Sequence, residues 1–151
     1  MADFEAVAVR AIAANSTWPL RAAVLWPEKE AGPSCLIEGD EAPETLHMGA
    51  FVAEELCAIG TFMQQQHPEL PSGVSYRLRA MGTLKSAQGK GLGSQLVETG
   101  LDILSERGCD VVWCDARHVA LGFYARLGWD VVGPSYQVPL RGPHRLAWRR
   151  I

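Results

Sequence analysis

The sequence predicts a single domain of the α/β (α+β) class, and three observations support this prediction. The 151 residues are enough for one domain with a sizeable core. Apolar residues make up 48% of the chain and charged residues 21%, which is typical of a globular protein. Apolar segments with strand period alternate with segments of helical period, in the approximate order βαβββαβαβ(β). We therefore assign residues 1–151 to one domain.

Charge and the N-terminal sequence exclude several classes of protein. A net charge of −3 provides no basic surface for nucleic acid and at most a weak preference for cationic small molecules. Asp3 and Glu5 stand where a signal peptide would carry positive charge, so we expect a cytoplasmic protein without a membrane segment.

The cysteines indicate neither disulfides nor a metal site. They form no C-x-x-C pair, and no nearby histidine completes a zinc-ligand spacing, so we expect reduced, mostly buried thiols and no bound metal. The four cysteines are Cys35, Cys57, Cys109 and Cys114.

The first part of the chain predicts a strand followed by a helix. Residues 5–12 have the apolar character of a strand. The stretch WPLRAAVLW (18–26) is helical, with Asn15 or Ser16 as its N-cap and Pro27 as its end.

A loop, a hairpin and a central strand come next. Residues 27–43 lack periodicity and are predicted to form a surface loop. Residues 46–52 and 56–62 are apolar and flank a short charged turn, which indicates an antiparallel hairpin. Residues 74–83 alternate as the central strand. That alternation predicts one face with Arg77, Arg79 and Met81, and an opposite face with Tyr76, Leu78 and Ala80.

The second half of the chain predicts two helices and three further strands. A helix over 92–108 and a shorter one over 118–128 both end at glycine. Strands are expected at 111–116, 129–133 and 145–151.

The sequence QGKGLGSQL (88–96) places three glycines around a lysine immediately before the long helix. It does not fit a P-loop, because Leu84 and Gly91 occupy the positions of the first glycine and of the magnesium-binding Ser or Thr. It fits a dinucleotide fingerprint poorly, because Ser94 replaces the third glycine, although Asp110 keeps that alternative open.

An anion site at the helix N-terminus fits this stretch better. Unpaired N–H groups and the helix dipole favour a phosphate there, with Lys85 and Lys90 as mobile positive charges. The remaining alternative is a glycine-rich turn that binds no ligand.

Two motifs in order resemble the GNAT superfamily of N-acetyltransferases. Gln88, Gly91 and Gly93 fill its acetyl-coenzyme A signature. The later segment ARHVALGFYARLGWDVVG (116–133) is similar to the family's second half. The matching positions there are Ala120, Phe123, Tyr124, Leu127, Gly128, Trp129 and Gly133.

The resemblance implies a GNAT-like domain with a mixed, mostly antiparallel sheet, a splayed central strand pair and flanking helices. Acetyl-coenzyme A would lie in the cleft between the splayed strands, with its pantetheine arm on residues 81–83 and its pyrophosphate on residues 88–94. Arg117 departs from the family, because many members carry Asn there. The implied cofactor-binding residues are Met81, Gly82, Thr83, Gln88, Gly89, Lys90, Gly91, Leu92, Gly93, Ser94 and Arg117.

The resemblance also implies that Tyr124 is the catalytic acid, donating a proton to the departing thiolate. Many members carry a glutamate base on the central strand, where this chain has Arg77 and Arg79. These arginines either hold a substrate carboxylate or form a solvated or ion-paired strand face. We assign no base; the available histidines are His47, His118 and His144.

The sequence therefore predicts an enzyme that transfers acetyl from acetyl-coenzyme A to an amine of a small molecule or protein, by direct attack in a ternary complex. Asp115 is expected to be an N-cap rather than a catalytic group. A homodimer paired through a late strand is possible, as in other members of the family. Two alternatives remain: an acyl-coenzyme A sensor without turnover, and a nucleotide-binding α/β domain.

Overall fold

A computed structural model describes residues 6–151, which form one seven-stranded sheet with helices on both faces. The strand order is β1-β2-β3-β4-β5-β7-β6. The strands are β1 (Val7–Ala11), β2 (Leu46–Val52), β3 (Glu55–Gln64), β4 (Ser75–Thr83), β5 (Val111–Arg117), β6 (Asp130–Val138) and β7 (Gly142–Arg150). The helices are α1 (Trp18–Leu20), α2 (Leu92–Glu106) and α3 (Leu121–Arg126).

The predicted first helix is one continuous helical segment, residues 14–25. A 3₁₀ turn (Ala14–Thr17) precedes α1, and a π turn (Arg21–Leu25) follows it. The predicted N-cap is wrong, because Asn15 and Ser16 lie inside the 3₁₀ turn, which begins after Ala13 without a side-chain cap. The segment ends at Leu25, one residue before the end of the predicted helix at Trp26.

The predicted hairpin is confirmed as β2 and β3. Its turn is only two residues long, Ala53 and Glu54, with φ angles of 48° and 69°. Positive φ at both positions matches the turn geometry that suits the twist of a two-stranded hairpin. Glu55, which we placed in the turn, is instead the first residue of β3 and pairs with Val52.

The splayed strand pair is formed by β4 and β5. They are the one parallel pair among the described strands, and their pairing covers three positions, from Ser75↔Val111 to Arg77↔Trp113. Beyond these pairs β4 continues to Thr83 and β5 to Arg117 without pairing to each other. The two strands therefore diverge, and a cleft opens between them.

A β-bulge at Ala80 changes which way the end of β4 faces. The β3–β4 register shifts here, and Ala80 has a φ of 51°. One extra residue in a strand inverts the alternation beyond it. Met81 accordingly lies near Gly60 on the same side as Leu78, so its predicted position on the arginine face is wrong.

The two faces of the sheet carry different helices. A Cβ on Gly100 of α2 would lie 2.5 Å from Phe62 of β3, so α2 packs closely on that face. The first helical segment covers the opposite face, where Arg21 donates to Thr61 of β3 at 2.9 Å. Both faces therefore bury core residues, and the cleft opens at the centre of the sheet.

A buried ion pair fixes the first helical segment. Arg21 donates to Asp40 at 2.6 and 3.0 Å, and both side chains are fully buried. His47 joins them by bonding to Thr61 and to the Asp40 carbonyl, each at 2.9 Å. This network connects the helical segment, the loop before β2 and the sheet.

Two further expectations concern the cysteines and membranes. All four cysteines are unpaired and buried, as predicted. Within residues 6–151, no helix has the length and apolar character needed to cross a membrane.

Candidate active site

A cleft with a volume of about 380 Å³ lies where β4 and β5 diverge. One part is bounded by the end of β4, the end of β5 and α3. Its lining residues are Ala80, Met81, Ala116, Ala120, Phe123 and Tyr124. The other part is bounded by the first helical segment and the β6–β7 hairpin. Its apolar lining residues are Leu25, Trp26, Ile37, Val138 and Pro139.

Tyr124 lies at the inner end of this cleft. It is 5% exposed and packs against Phe123 and Trp129, with ring centroids 5.0 and 4.9 Å away. Burial, followed by the neighbouring Cys114 thiol, raises the pKa of Tyr124 well above its ordinary value of 10.0. The phenol is therefore protonated at neutral pH and can donate its proton. The same burial makes it a weaker acid than a phenol in water.

The glycine turn precedes α2 as predicted. Gly89 and Gly91 have φ angles of 79° and 77°, which glycine adopts without the strain other residues would incur. Within the described chain no side chain caps the start of α2, which begins at Leu92. The N–H groups of a first helical turn have no intrahelical partner, so this exposed turn can accept an anion.

Packing, burial and a hydrogen bond determine the roles of three other residues of the turn. A Cβ on Gly93 would lie 3.2 Å from Met81 and 3.4 Å from Phe123, so packing accounts for the missing side chain. Leu92 is buried, which leaves its backbone N–H as the group available to a ligand. The Gln88 amide donates to the Thr83 carbonyl at 3.3 Å and ties the turn to the end of β4.

The remaining predicted cofactor residues lie around the cleft and the turn. A Cβ on Gly82 would lie 3.1 Å from Val24 and Leu25, so this glycine allows the first helical segment to approach β4. Lys85 and Lys90 are exposed beside the turn, and Ser94 is half-buried in the first turn of α2. Arg117 is exposed at the end of β5 and lines the cleft.

Asp115 belongs to a charged cluster rather than to a helix cap. Arg77 donates to one carboxylate oxygen at 2.5 Å, and the Tyr136 hydroxyl donates to the other. The N-cap prediction is therefore wrong, because Arg117 precedes the next helical turn and no side chain caps it. Burial and the Asp115 carboxylate raise the pKa of Tyr136, which keeps this hydroxyl a donor. No sequence pattern pointed to Tyr136, because it pairs across strands far apart in the chain.

Arg77 and Arg79 differ in their partners. The Arg77 guanidinium is paired with Asp115 and lies 5.0 Å from the centroid of the Trp113 ring. Arg79 is half-buried in the same cleft and forms no ion pair within residues 6–151. Burial, followed by the charge of Arg77, lowers the pKa of Arg79. The ion-paired alternative therefore holds for Arg77 alone.

Of the three histidines considered as bases, His144 lines the cleft. Its Nδ1 donates to the Gly142 carbonyl at 2.8 Å, and its ring stacks on Tyr136. His47 belongs to the buried network around Arg21. His118 bonds to Ser135 at 2.8 Å near the surface.

A splayed parallel strand pair, a glycine turn at a helix N-terminus and a buried tyrosine lining the cleft are together typical of an acyltransferase. The sequence profile of the Acetyltransferase (GNAT) family matches residues 12–129. The chain belongs to the GNAT acetyltransferase family, and the resemblance seen in its sequence is confirmed.

One relative agrees with this family assignment, and two solved structures share the fold. The chain is 33% identical over 143 residues to the uncharacterized N-acetyltransferase YitI of Bacillus subtilis, covering 95% of both chains. The crystal structure of Escherichia coli ElaA superposes with a TM-score of 0.75 at 18% identity, over 95% of this chain and 99% of that one. An aminoglycoside 6'-N-acetyltransferase complexed with coenzyme A superposes with a TM-score of 0.72 at 16% identity, over 95% and 96%. These two structures support the fold.

Proposed function

We propose that the protein is an N-acetyltransferase that transfers acetyl from acetyl-coenzyme A to an amine of a small molecule or protein, by direct attack in a ternary complex. The observation that carries this proposal is the buried, protonated Tyr124 hydroxyl in the cleft between β4 and β5. The family assignment and the solved neighbour with bound coenzyme A support it.

The residues present fit acetyl-coenzyme A, whose thioester would supply an activated acetyl group. The uncapped start of α2 provides N–H groups for the pyrophosphate, from Gly89 to Ser94. Lys90 and the Gln88 side chain lie beside these groups, and Arg117 lies at the cleft. On the β5 side, residues 81–83 of β4 are unpaired, so their backbone groups can bond the pantetheine arm.

In the proposed reaction Tyr124 donates its proton to the sulfur as the carbon–sulfur bond breaks and the new carbon–nitrogen bond forms. Burial raises the pKa of Tyr124 and keeps the hydroxyl protonated. The same desolvation raises the proton affinity of a thiolate that forms in the cleft, so the proton can pass from the phenol to the sulfur. The surrounding rings of Phe123 and Trp129 exclude water and hold the phenol in one orientation.

We assign the amine-deprotonating role to His144. Its Nδ1–H donates to the Gly142 carbonyl, so Nε2 of the neutral ring is the nitrogen that can accept a proton. His144→Gln should lower kcat about 10²-fold while leaving the affinity for coenzyme A unchanged. His118→Gln, at the surface, is the control; a similar loss in both variants would remove His144 from this role.

A cytoplasmic location is part of the proposal. Four buried, unpaired thiols fit a reducing compartment. Fractionation of cells that express the chain, followed by immunoblotting, tests this location, and recovery from an extracellular fraction would contradict it.

Release of free coenzyme A tests the proposed reaction. Purified protein is mixed with acetyl-coenzyme A and a panel of amines, and free thiol is measured over time. At least one amine should accelerate thiol release above hydrolysis. If coenzyme A raises the melting temperature but no amine accelerates release, the protein is instead an acyl-coenzyme A sensor.

A further inference from the structure

Arg79 is a half-buried cation that forms no ion pair in the described part of the chain, and this is the unusual feature of the cleft. Within residues 6–151 every ion pair at the cleft involves another arginine: Arg77 with Asp115, and Arg141 with Glu28. Leaving a charged group partly desolvated and unpaired is costly. Such a group lining an open cleft is therefore well suited to a ligand anion.

The acidic groups near Arg79 do not compensate for its charge. Asp115 already accepts hydrogen bonds from both Arg77 and Tyr136. A second cavity, of about 410 Å³, also contains Arg79 in its lining, together with Glu38 and Glu44. Neither glutamate forms an ion pair with an arginine in the described part of the chain.

The cleft is cationic although the whole protein is acidic. Its lining contains one carboxylate, from Asp115, and four guanidinium groups. The arginines are Arg77, Arg79, Arg117 and Arg141. A cleft of one charge with low-dielectric walls concentrates small ions of the opposite charge. A polycationic amine would be repelled here, whereas a substrate with an anionic group would be attracted.

We propose that the acceptor is a small amine that also carries a carboxylate, as an α-amino acid does, and that Arg79 binds this carboxylate. The guanidinium fork matches the two oxygens of a carboxylate. The apolar walls formed by Trp26, Leu25 and Val138 would contact the acceptor's side chain. The inference rests on the proposed acetyl transfer and adds its substrate class.

Matched substrate pairs test this inference. Leucine is compared with isoamylamine, and phenylalanine with phenethylamine, because each pair differs only in the carboxylate. For the wild-type protein we expect kcat/KM to be about 10-fold to 100-fold higher for the amino acid. Equal or better use of the decarboxylated amines would overturn the proposal.

The Arg79→Gln variant assigns the effect to this residue. It should raise KM for leucine at least about 10-fold and leave the decarboxylated amines and acetyl-coenzyme A nearly unaffected. Arg79→Lys should recover part of the loss, because it restores the charge. Arg10→Gln on β1, outside the cleft, is the matched control. Equal losses for both members of a pair would indicate a structural role for Arg79 and contradict the proposal.

A binding measurement separates failure of this inference from failure of the acetyl-transfer proposal. Calorimetry compares N-acetyl-leucine with N-isoamylacetamide on the protein saturated with coenzyme A. The wild-type protein should bind N-acetyl-leucine more tightly, and Arg79→Gln should abolish the difference. Such a result without amine-dependent turnover would refute only the transfer reaction. Equal binding of both compounds by the wild-type protein would refute carboxylate recognition.

Discussion

The buried position of Tyr124 determines both its protonation state and the group to which it can donate its proton. A phenol surrounded by aromatic rings and a thiol is a poor proton donor to water, because its anion would be desolvated. A thiolate forming beside it in the same dry site is a much better proton acceptor. The raised pKa of Tyr124 therefore prevents premature loss of its proton without preventing transfer to the leaving group.

Replacing Tyr124 by Phe should lower kcat by about 10² to 10⁴ and leave coenzyme A affinity nearly unchanged. The ring still packs against Trp129, so the fold should be preserved. The rate of thiol release at saturating substrate measures kcat, and calorimetry measures the affinity for coenzyme A. Tyr76→Phe, at a buried tyrosine outside the cleft lining, is the control. An unchanged rate in Tyr124→Phe would show that another group protonates the sulfur.

Single residues differed in how far the sequence could predict them. Tyr124 could be predicted from the sequence because it belongs to a contiguous motif that includes α3. The cluster of Asp115 with Arg77 and Tyr136 was not, because it joins β5 to β4 and β6, which are separated in the chain by a helix or more. A residue's type suggests a hydrogen bond, but the partner is determined by tertiary pairing.

At the level of elements, the turn before α2 combines two properties of glycine. Gly91 adopts a left-handed conformation that reverses the chain into the helix. A Cβ at this position would meet no atom of residues 6–151 within 4 Å. Any side chain here therefore strains the backbone, although no protein atom crowds it.

Gly91→Ala should weaken coenzyme A binding by about 10-fold, because the added methyl disturbs the backbone N–H groups at the anion site. It should also reduce the free energy of unfolding by about 1 kcal/mol through left-handed strain. Calorimetry and urea denaturation measure the two effects.

Gly108→Ala is the matched control for this prediction. Gly108 follows the other end of α2 with a φ of 82°, and a Cβ at this glycine would likewise meet no atom within 4 Å. The substitution should cost similar stability without affecting coenzyme A binding. If both variants bind coenzyme A as tightly as the wild-type protein, the glycine turn is not the anion site.

Strands and helices were predictable where the pattern of apolar residues within one short segment identifies the element. The apolar stripe of α2 identified that helix, and two apolar segments around a charged turn identified residues 46–52 and 56–62 as a hairpin. Gly108 and Gly128 ended the helices. The bulge in β4 was not predictable, because Ala80 is no turn-forming residue and its positive φ depends on pairing with β3. That one irregularity reversed the orientation of Met81.

At the scale of the whole molecule, the local charge of the cleft is opposite to the net charge. A total of −3 suggested a weak preference for cations, whereas the folded chain gathers arginines from β4, β5 and the β6–β7 hairpin around one cavity. Composition records the sum of the charges and not their placement. The resemblance of two motifs to the GNAT family was still sufficient to predict the mixed sheet and its splayed centre.

The buried network around Arg21 maintains one wall of the cleft. It connects the first helical segment, which ends at Leu25 and is followed by Trp26, to the loop at Asp40 and to β3. Burial opposes the charge of Asp40, but hydrogen bonds from Arg21 and from the Ile37 backbone outweigh it, so the pKa of Asp40 is lowered. A carboxylate with a lowered pKa contributes stability above its unfolded-state pKa, and this contribution is lost as the pH falls through the folded-state value.

Asp40→Asn should therefore reduce the free energy of unfolding at pH 7 by about 3 to 5 kcal/mol, because it leaves the Arg21 charge buried and uncompensated. The difference from the wild-type protein should shrink below about pH 4, where Asp40 of the unfolded wild-type chain begins to be protonated, and should shrink further toward the lowered pKa of the folded state. Urea denaturation at several pH values between 7 and 3 measures both quantities. Glu98→Gln breaks the more exposed pair with Arg149 and should cost at most about 1 kcal/mol. A difference between Asp40→Asn and the wild-type protein that stays constant down to pH 3 would show that the ion pair does not account for the lost stability.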